Sequence, residues 1–295
     1  MQRRRFVSVA GLAPLVLLPG CSVEATVADG PNAPAFEPAA APRSPRLALV
    51  LAAGGPRGFA HVGVVRALKE LHIEPDLVVG ASVGALIGAA LCAGLSIERI
   101  EALAFDFDFY RLARWSPGEG VKMDGSRIAA MVRETLGVTQ FSQLRTPLAV
   151  VATDLQAQRP AVFNRGDLGW AVQASCAIPG RFAPVRVQGR DMVDADVSSP
   201  LPVKVARELG ARKVLAVDVA VHVDKPRPAG AERFEAGDRI KREQIDAEAR
   251  LADLVLHPYF GYWVNLSREY RETTARAAYE QTMAQAAALR ALAAG

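Results

Sequence analysis

The sequence predicts an α/β protein in which a mostly parallel sheet lies between two layers of helices, a three-layer α/β/α sandwich. Short apolar runs, each suited to one buried strand, alternate with longer segments of helical periodicity. Glycine-rich loops stand where two of these strands lead into helices. With 51% hydrophobic and 22% charged residues in 295, the composition is that of one globular domain with appended segments.

The first 21 residues have the pattern of a bacterial secretory signal. Three arginines at positions 3–5 precede an apolar run over 6–18 that is too short to span a bilayer. The run ends in Leu-Pro-Gly-Cys, which resembles the lipobox of bacterial lipoproteins and implies a lipid-modified Cys21. Ser22 follows, which under the sorting rule for such lipoproteins implies the outer membrane of the cell envelope. The alternative is a plain signal peptide in which Cys21 has no role.

Charge and cysteine usage exclude several classes of function. Cleavage before Cys21 would remove three of the 35 basic residues and none of the 31 acidic ones, which lowers the net charge from +4 to +1. A nearly neutral domain does not predict nucleic-acid binding. Cys92 and Cys176 stand among apolar or small residues, and we expect buried thiols rather than a disulfide or a metal site.

The chain divides into a tether and one domain. Residues 22–45 are rich in alanine and proline and lack helical or strand periodicity, which predicts a flexible tether. The apolar run at 47–51 predicts the first strand of a domain over 46–295. Further strands are expected at 77–79, 148–153, 186–193, 214–219 and 252–256. Helices are expected at 59–72, 83–94, 97–104, 124–136, 167–175, 203–209 and 268–292.

Two segments have structural interpretations. His61 and His72 fall on the predicted inner face of the first helix, which favours hydrogen-bonded structural histidines. The stretch from 223 to 250 is dense in charge, which favours a solvated loop and helix face, with a lid as the alternative.

The strongest functional motif is the G-x-S-x-G sequence of residues 80–84. It stands between a predicted strand and a predicted helix, where a sharp turn lifts the serine hydroxyl into the open. Gly80 and Gly84 remove side chains that would collide with the neighbouring backbone, while Ala81 and Val83 flank the serine. We therefore expect Ser82 to be a nucleophile. The alternative is that Ser82 only caps the helix.

A second glycine-rich loop precedes the first helix. Its residues are Gly54, Gly55, Pro56, Arg57 and Gly58, and backbone N–H groups there can converge beside Ser82 to form an oxyanion hole. The phosphate-loop patterns G-x-G-x-x-G and G-x-x-x-x-G-K-[ST] are absent from the loop. For Arg57, a structural role and attraction of an anionic head group are both open.

These two loops resemble the patatin-like phospholipase family over residues 46 to about 220. Gly54–Gly58 matches its G-G-x-R-G oxyanion loop, and Gly80–Gly84 matches its nucleophile elbow. Residues 151–155 and 174–180 also match weaker family features, with no catalytic role assigned to Asp154 or Ser175. The resemblance implies a serine acyl hydrolase that acts on lipid or other acyl esters and needs no metal or organic cofactor.

The resemblance also implies a Ser-Asp dyad. The family's aspartate lies in an Asp-Gly-Gly or Asp-Gly-Ala motif, and Asp194 falls on that position. Here Ala195 replaces the glycine and Asp196 replaces a small residue. If the glycine needs a positive φ, alanine would strain the loop.

Two alternatives remain open from the sequence. Ser82, Asp194 and His257 occur in the chain order of an α/β-hydrolase triad, although Ser82 follows only the second strand of the domain. The altered motif at Ala195 also allows a non-catalytic envelope lipoprotein that keeps the fold. Labelling by a fluorophosphonate separates an activated serine from a binding module.

Overall fold

The computed structural model describes residues 26–28, 30, 32–35, 44–116, 120–123 and 125–295. Strands and helices alternate along these residues, as the sequence predicts. The strands are β1 (Thr26–Ala28), β2 (Leu47–Leu51), β3 (Leu77–Ala81), β4 (Ala113–Ser116), β5 (Gly120–Met123), β6 (Leu148–Asp154), β7 (Arg159–Phe163), β8 (Val185–Val187), β9 (Arg190–Val193), β10 (Lys213–Val217) and β11 (Leu254–Leu256). The helices are α1 (Phe59–Glu70), α2 (Val83–Cys92), α3 (Ile97–Phe105), α4 (Ser126–Leu136), α5 (Leu168–Ser175), α6 (Val203–Glu208), α7 (Glu235–Ala249), α8 (Arg268–Met283) and α9 (Ala286–Ala294).

One mixed sheet forms the centre of the molecule. Among the described residues it has nine strands in the order β1-β8-β9-β6-β3-β2-β10-β11, with β7 paired to β6. Its middle, from β6 through β3, β2 and β10 to β11, is parallel, whereas β7 and β9 run antiparallel to β6. Because β2, β3 and β6 are buried at every position, both faces of the sheet are covered. The predicted fold class is confirmed.

The parallel middle of the sheet decides where the functional loops meet. β2 and β3 are paired neighbours, so the loop after Leu51 and the turn after Ala81 leave the sheet at the same edge. α2 packs tightly beneath this edge, because a Cβ on Gly84 would lie 2.2 Å from the Leu51 carbonyl oxygen. A Cβ on Gly88, one turn later, would lie 3.1 Å from Val78 Cγ1, so the helix approaches the sheet closely at this point as well.

Three local predictions differ from the structure. The single strand predicted at 186–193 is the hairpin β8-β9, whose turn residues Gln188 and Gly189 have φ values of 49 and 78. Left-handed residues at both positions are typical of a two-residue hairpin turn. His72 lies beyond the end of α1, exposed and with a φ of 56, so its predicted inward position is wrong. The helix predicted over 268–292 is divided into α8 and α9.

The prediction that residues 22–45 form a tether without helix or strand is wrong at residues 26–28. Thr26–Ala28 forms β1, which pairs in parallel with β8 at the edge of the sheet. The Thr26 amide donates to the Pro184 carbonyl oxygen at 2.9 Å, and the Ala28 side chain is buried. Three residues are too few for a strand period to be visible in the sequence. Cys21 and the signal segment lie outside the described residues.

Two further findings concern the cysteines and the membrane. Cys92 and Cys176 are free and buried, as expected of small core residues. Within the described ranges, no helix has both the length and the apolar character that crossing a membrane requires.

Candidate active site

Ser82 occupies the sharp turn that its motif predicts, but the expectation that the turn lifts the hydroxyl into the open is wrong, because Ser82 is only 5% exposed. It lies between β3 and α2 with φ 53 and ψ −120, a conformation that side-chain-bearing residues rarely adopt. A Cβ on Gly80 would lie 2.6 Å from the Ala85 Cα, so only glycine fits there. The Ser82 amide donates to the Ser175 hydroxyl at 2.7 Å, and that hydroxyl donates to the Val151 carbonyl oxygen at 2.5 Å. Buried hydrogen bonds therefore hold the strained turn.

Asp194 is the carboxylate that the fold brings to Ser82. The Ser82 hydroxyl donates to Asp194 Oδ2 at 2.7 Å, although 112 positions separate the two residues. The other carboxylate oxygen, Oδ1, accepts the Asp196 amide at 2.8 Å. The Asp194 backbone is fixed as well, since its amide donates to the Ala177 carbonyl and its carbonyl accepts the Thr153 hydroxyl. Both the position and the orientation of the carboxylate are therefore defined.

Burial makes this carboxylate a stronger base than an ordinary aspartate. Asp194 is 2% exposed, and loss of solvation raises its pKa to about 7, against the opposing effect of the hydrogen bonds from Ser82 and Asp196. Cys176 lies in the same buried environment, where desolvation and the charge of Asp194 raise the pKa of its thiol well above the usual value. The thiol stays protonated, and Ser82 is the stronger candidate nucleophile.

The substitution of alanine in the acidic motif causes no backbone strain. Ala195 begins a short 3₁₀ helix over 195–197. Among the described non-glycine residues, positive φ occurs only at His72, Ser82, Gln158 and Gln188, so Ala195 is in an ordinary conformation. The side chain of Asp196 is 40% exposed and pairs with Lys241 instead of Ser82. The motif thus presents one carboxylate to the serine, that of Asp194.

The glycine loop after β2 lies against the serine turn. A Cβ on Gly58 would lie 2.3 Å from Val83 Cγ1, and Val83 directly follows the serine. Gly55 has a left-handed φ of 53. Pro56 has no N–H, and the Arg57 amide donates to the Gly54 carbonyl oxygen at 3.1 Å. Of the predicted oxyanion donors, Gly54 and Gly55 keep amides without an acceptor among the described residues.

Arg57 is turned inward. The guanidinium group is nearly buried and donates to the backbone carbonyl oxygens of Gly261 and Tyr262. It also lies over the Phe260 ring, 5.4 Å from the centroid. Desolvation lowers the pKa of Arg57. Because these contacts use the guanidinium group, the structure favours the structural role of Arg57 over attraction of a head group.

The histidines have partners away from the serine. His257 Nε2 contacts the Ala220 carbonyl oxygen at 3.0 Å and Asp218 at 3.6 Å, and its ring stacks on His222. His61 is fully buried and contacts the Ala52 carbonyl oxygen at 2.9 Å, as expected of a structural histidine. Burial lowers the pKa of His61 to about 4. The geometry therefore offers Asp194, not a histidine, as the partner of Ser82.

The serine turn, the glycine loop and Asp194 all lie within one family match. A family model described as patatin-like phospholipase covers residues 49–207, more than half of the chain. This chain belongs to the patatin-like phospholipase family. The resemblance predicted from Gly54–Gly58 and Gly80–Gly84 is thereby confirmed.

Known relatives match a little more than half of this chain. An NTE family protein of Mycobacterium tuberculosis is 36% identical over 182 residues, which cover 60% of this chain and 49% of that protein. Human patatin-like phospholipase domain-containing protein 6 is 31% identical over 181 residues, 59% of this chain and 13% of that protein. The chain thus spans about half the length of the mycobacterial relative and a smaller part of the human one.

The fold is also found in a solved structure. VipD from Legionella pneumophila has a TM-score of 0.58 to this protein at 15% sequence identity, covering 84% of this chain and 68% of that chain. At this identity the likeness concerns the fold alone, and it agrees with the patatin-like architecture described above.

Several residues that contact the site were not found by sequence reasoning. Ser175 supports the Ser82 amide and Thr153 supports the Asp194 carbonyl, and both lie in segments that match the family only weakly. Lys241 contacts Asp196 from α7, beyond the patatin match. Their roles depend on contacts between distant segments, which no local motif records. The Ala-Ser-Cys-Ala-Ile-Pro-Gly match at 174–180 was the one available signal for Ser175.

Proposed function

We propose that this protein is a serine acyl hydrolase that cleaves lipid acyl esters through an acyl-enzyme on Ser82, with Asp194 as the general base. The observation that carries the proposal is the 2.7 Å hydrogen bond from the Ser82 hydroxyl to Asp194 Oδ2, in a buried site at the elbow of a patatin-like fold. The carboxylate has the raised pKa that suits proton transfer near neutral pH.

In the first half of the reaction, Ser82 Oγ attacks the ester carbonyl carbon and its proton passes to Asp194 Oδ2. The negative charge that develops on the carbonyl oxygen is stabilised by the amides of Gly54 and Gly55, which have no other acceptor among the described residues. The tetrahedral intermediate then collapses. The bond to the leaving alcohol breaks, and the proton held by Asp194 moves to that alcohol.

In the second half, water replaces the alcohol. Asp194 accepts a proton from the water as its oxygen attacks the acyl carbon, and the same two amides stabilise the new oxyanion. Collapse of this intermediate releases the carboxylic acid and returns the proton to Ser82 Oγ. Each step uses groups of this chain and water, with no change of oxidation state.

The test is a pair of measurements on wild type and Ser82→Ala. Wild type should hydrolyse p-nitrophenyl esters and phospholipids and should form a stable adduct with a fluorophosphonate at Ser82. Ser82→Ala should keep the fold, since it loses only one hydroxyl, and should lose both turnover and labelling. Wild type that fails to label and to hydrolyse any of these esters would favour the non-catalytic alternative.

We further propose that the protein is held at the bacterial envelope by a lipid on Cys21, with the outer membrane as the site. The support is the signal-like segment and the Leu-Pro-Gly-Cys sequence at 18–21. An anchor of this kind would keep the hydrolase beside membrane lipid, its proposed substrate class.

A further inference from the structure

α7 contacts both sides of the candidate active site. It lies beyond the family match at 49–207, and Ile245 is the residue of this helix that is buried. The helix is therefore attached to the domain largely by polar side chains. Three of those side chains, Asp238, Lys241 and Arg242, reach residues that adjoin the Ser82–Asp194 pair or the glycine loop.

The first contact lies next to the proposed base. Lys241 Nζ is 2.5 Å from Asp196 Oδ1. The amide of Asp196 in turn donates to Asp194 Oδ1, the oxygen that does not contact Ser82. Lys241 thus holds the residue whose backbone orients the carboxylate, and its positive charge favours the ionised form of Asp194.

The second contact lies behind the glycine loop. Arg242 Nη1 is 2.5 Å from Asp218 Oδ2, and the Asp218 side chain is 1% exposed. Asp218 Oδ1 accepts the Ala220 amide at 2.8 Å, which fixes the backbone around Val219. Val219 packs on Gly54, where an added Cβ would lie 2.7 Å from Val219 Cγ2. Arg242 therefore fixes the backbone around Val219, against which Gly54 of the glycine loop packs.

The third contact reaches the same loop by another route. Tyr262 donates its hydroxyl to Asp238 Oδ2 at 2.8 Å, and Asp238 also pairs with Arg227. The backbone carbonyl oxygen of Tyr262 accepts a hydrogen bond from Arg57 within the glycine loop. Asp238 thus fixes Tyr262, whose backbone carbonyl binds the Arg57 side chain of the glycine loop.

We propose that α7 is a positioning element for the reaction. Lys241, acting through Asp196, sets the orientation of the Asp194 carboxylate. Arg242, acting through Asp218, sets the position of the glycine loop. The proposal rests on the hydrolase function above. Neither side chain touches the reacting atoms, so both are positioning residues. The helix fixes Asp194 and the glycine loop relative to each other, because its adjacent residues Lys241 and Arg242 contact the residues that support them.

Lys241 gives the cleaner test, because its ion pair with Asp196 is partly exposed and contributes little to folding. Lys241→Met removes the charge and keeps most of the length. Arg239→Met is the matched control: Arg239 is on the same helix and pairs with Glu235, one turn away, instead of with the domain. Lys241→Arg tests rescue by a second cation.

The activity assay uses the full chain and a soluble p-nitrophenyl ester. Lys241→Met should lower kcat about tenfold with KM unchanged, because a misoriented base affects proton transfer and not binding. The acid limb of the pH–rate profile should move to higher pH, since Asp194 then faces Asp196 and the buried Cys176 thiol without the nearby cation. Lys241→Arg should restore most of kcat, and Arg239→Met should behave as wild type.

A second readout does not depend on turnover. Peptide-resolved hydrogen exchange of the full chain should be faster at residues 194–199 in Lys241→Met and at residues 52–60 in Arg242→Met, and unchanged at both in Arg239→Met. The proposal is overturned if Lys241→Met matches Arg239→Met in kcat, pH profile and exchange, or if Lys241→Arg fails to restore kcat. Failure of the hydrolase function is separate, because it appears as wild type that neither labels nor hydrolyses the esters, or as turnover that survives Ser82→Ala, while the exchange result stands.

Discussion

At the residue scale, the titration of Asp194 should control the pH dependence of the reaction. Burial raises the pKa of this carboxyl to about 7, and a general base must be ionised to accept a proton. We therefore expect kcat/KM to fall as pH decreases below about 7, approaching tenfold per pH unit. Hydrolysis of a soluble ester between pH 5 and pH 9 measures this directly. A rate that stays constant down to pH 5 would exclude a base with a raised pKa.

The two aspartates of the acidic motif should differ sharply in their effect on turnover. Asp194→Asn keeps the size of the side chain but cannot accept the Ser82 proton, so it should lower kcat by about 10²–10⁴. Asp196→Asn removes only the ion pair with Lys241 and should cost far less. Steady-state kinetics of both variants check this. The assignment is wrong if Asp196→Asn is the inactive protein and Asp194→Asn keeps turnover.

The triad alternative is tested by a third substitution. His257→Ala removes contacts to Ala220 and Asp218 and none to Ser82, so we expect most of the activity to remain. Measured thermal stability separates the two possible causes of a loss. Inactivity with normal stability would revive a histidine mechanism, whereas a less stable protein would reflect the structural contacts of this ring.

At the element scale, the sequence was most informative where one element is buried throughout. The continuous apolar run of β2 predicted a strand, because burial on both faces leaves a clear pattern. It was least informative for short elements. β1, with three residues, and the two-residue turn between β8 and β9 depend on pairing with distant segments, which gives no local period.

The contact between the glycine loop and α2 allows a prediction at this scale. Gly58→Ala would place a Cβ 2.3 Å from Val83 Cγ1 and 2.9 Å from Val83 Cβ, and a β-branched side chain has few ways to move aside. The substitution should lower both thermal stability and kcat by pushing the loop from the serine turn. Adding Val83→Ala should recover part of both. Gly237→Ala, at an open position on α7, is the control and should have little effect.

At the scale of the whole molecule, the site joins segments that are far apart in sequence. The motifs predicted Ser82, Asp194 and the glycine loop, because each depends on a short local pattern. The charge-dense stretch at 223–250 was predicted as a solvated helix face, and most of α7 is indeed exposed. Its contacts with Asp196 and Asp218 could not be predicted, since a charged residue that pairs with a carboxylate of a distant segment looks the same in sequence as one that faces water.

The proposed anchor concerns the relation of the whole molecule to a membrane. A single acyl chain binds a bilayer only marginally, whereas two or more chains hold a protein firmly. A lipoprotein-type modification of Cys21 should therefore keep wild type in the membrane fraction, and Cys21→Ala should release the protein or leave it unprocessed. Metabolic labelling with palmitate followed by fractionation and intact-mass analysis measures both effects. Ser22→Ala should label and fractionate with membranes as wild type does. If Cys21→Ala still incorporates the label and still sediments with membranes, the lipid is not on Cys21 and the protein reaches the membrane by another contact.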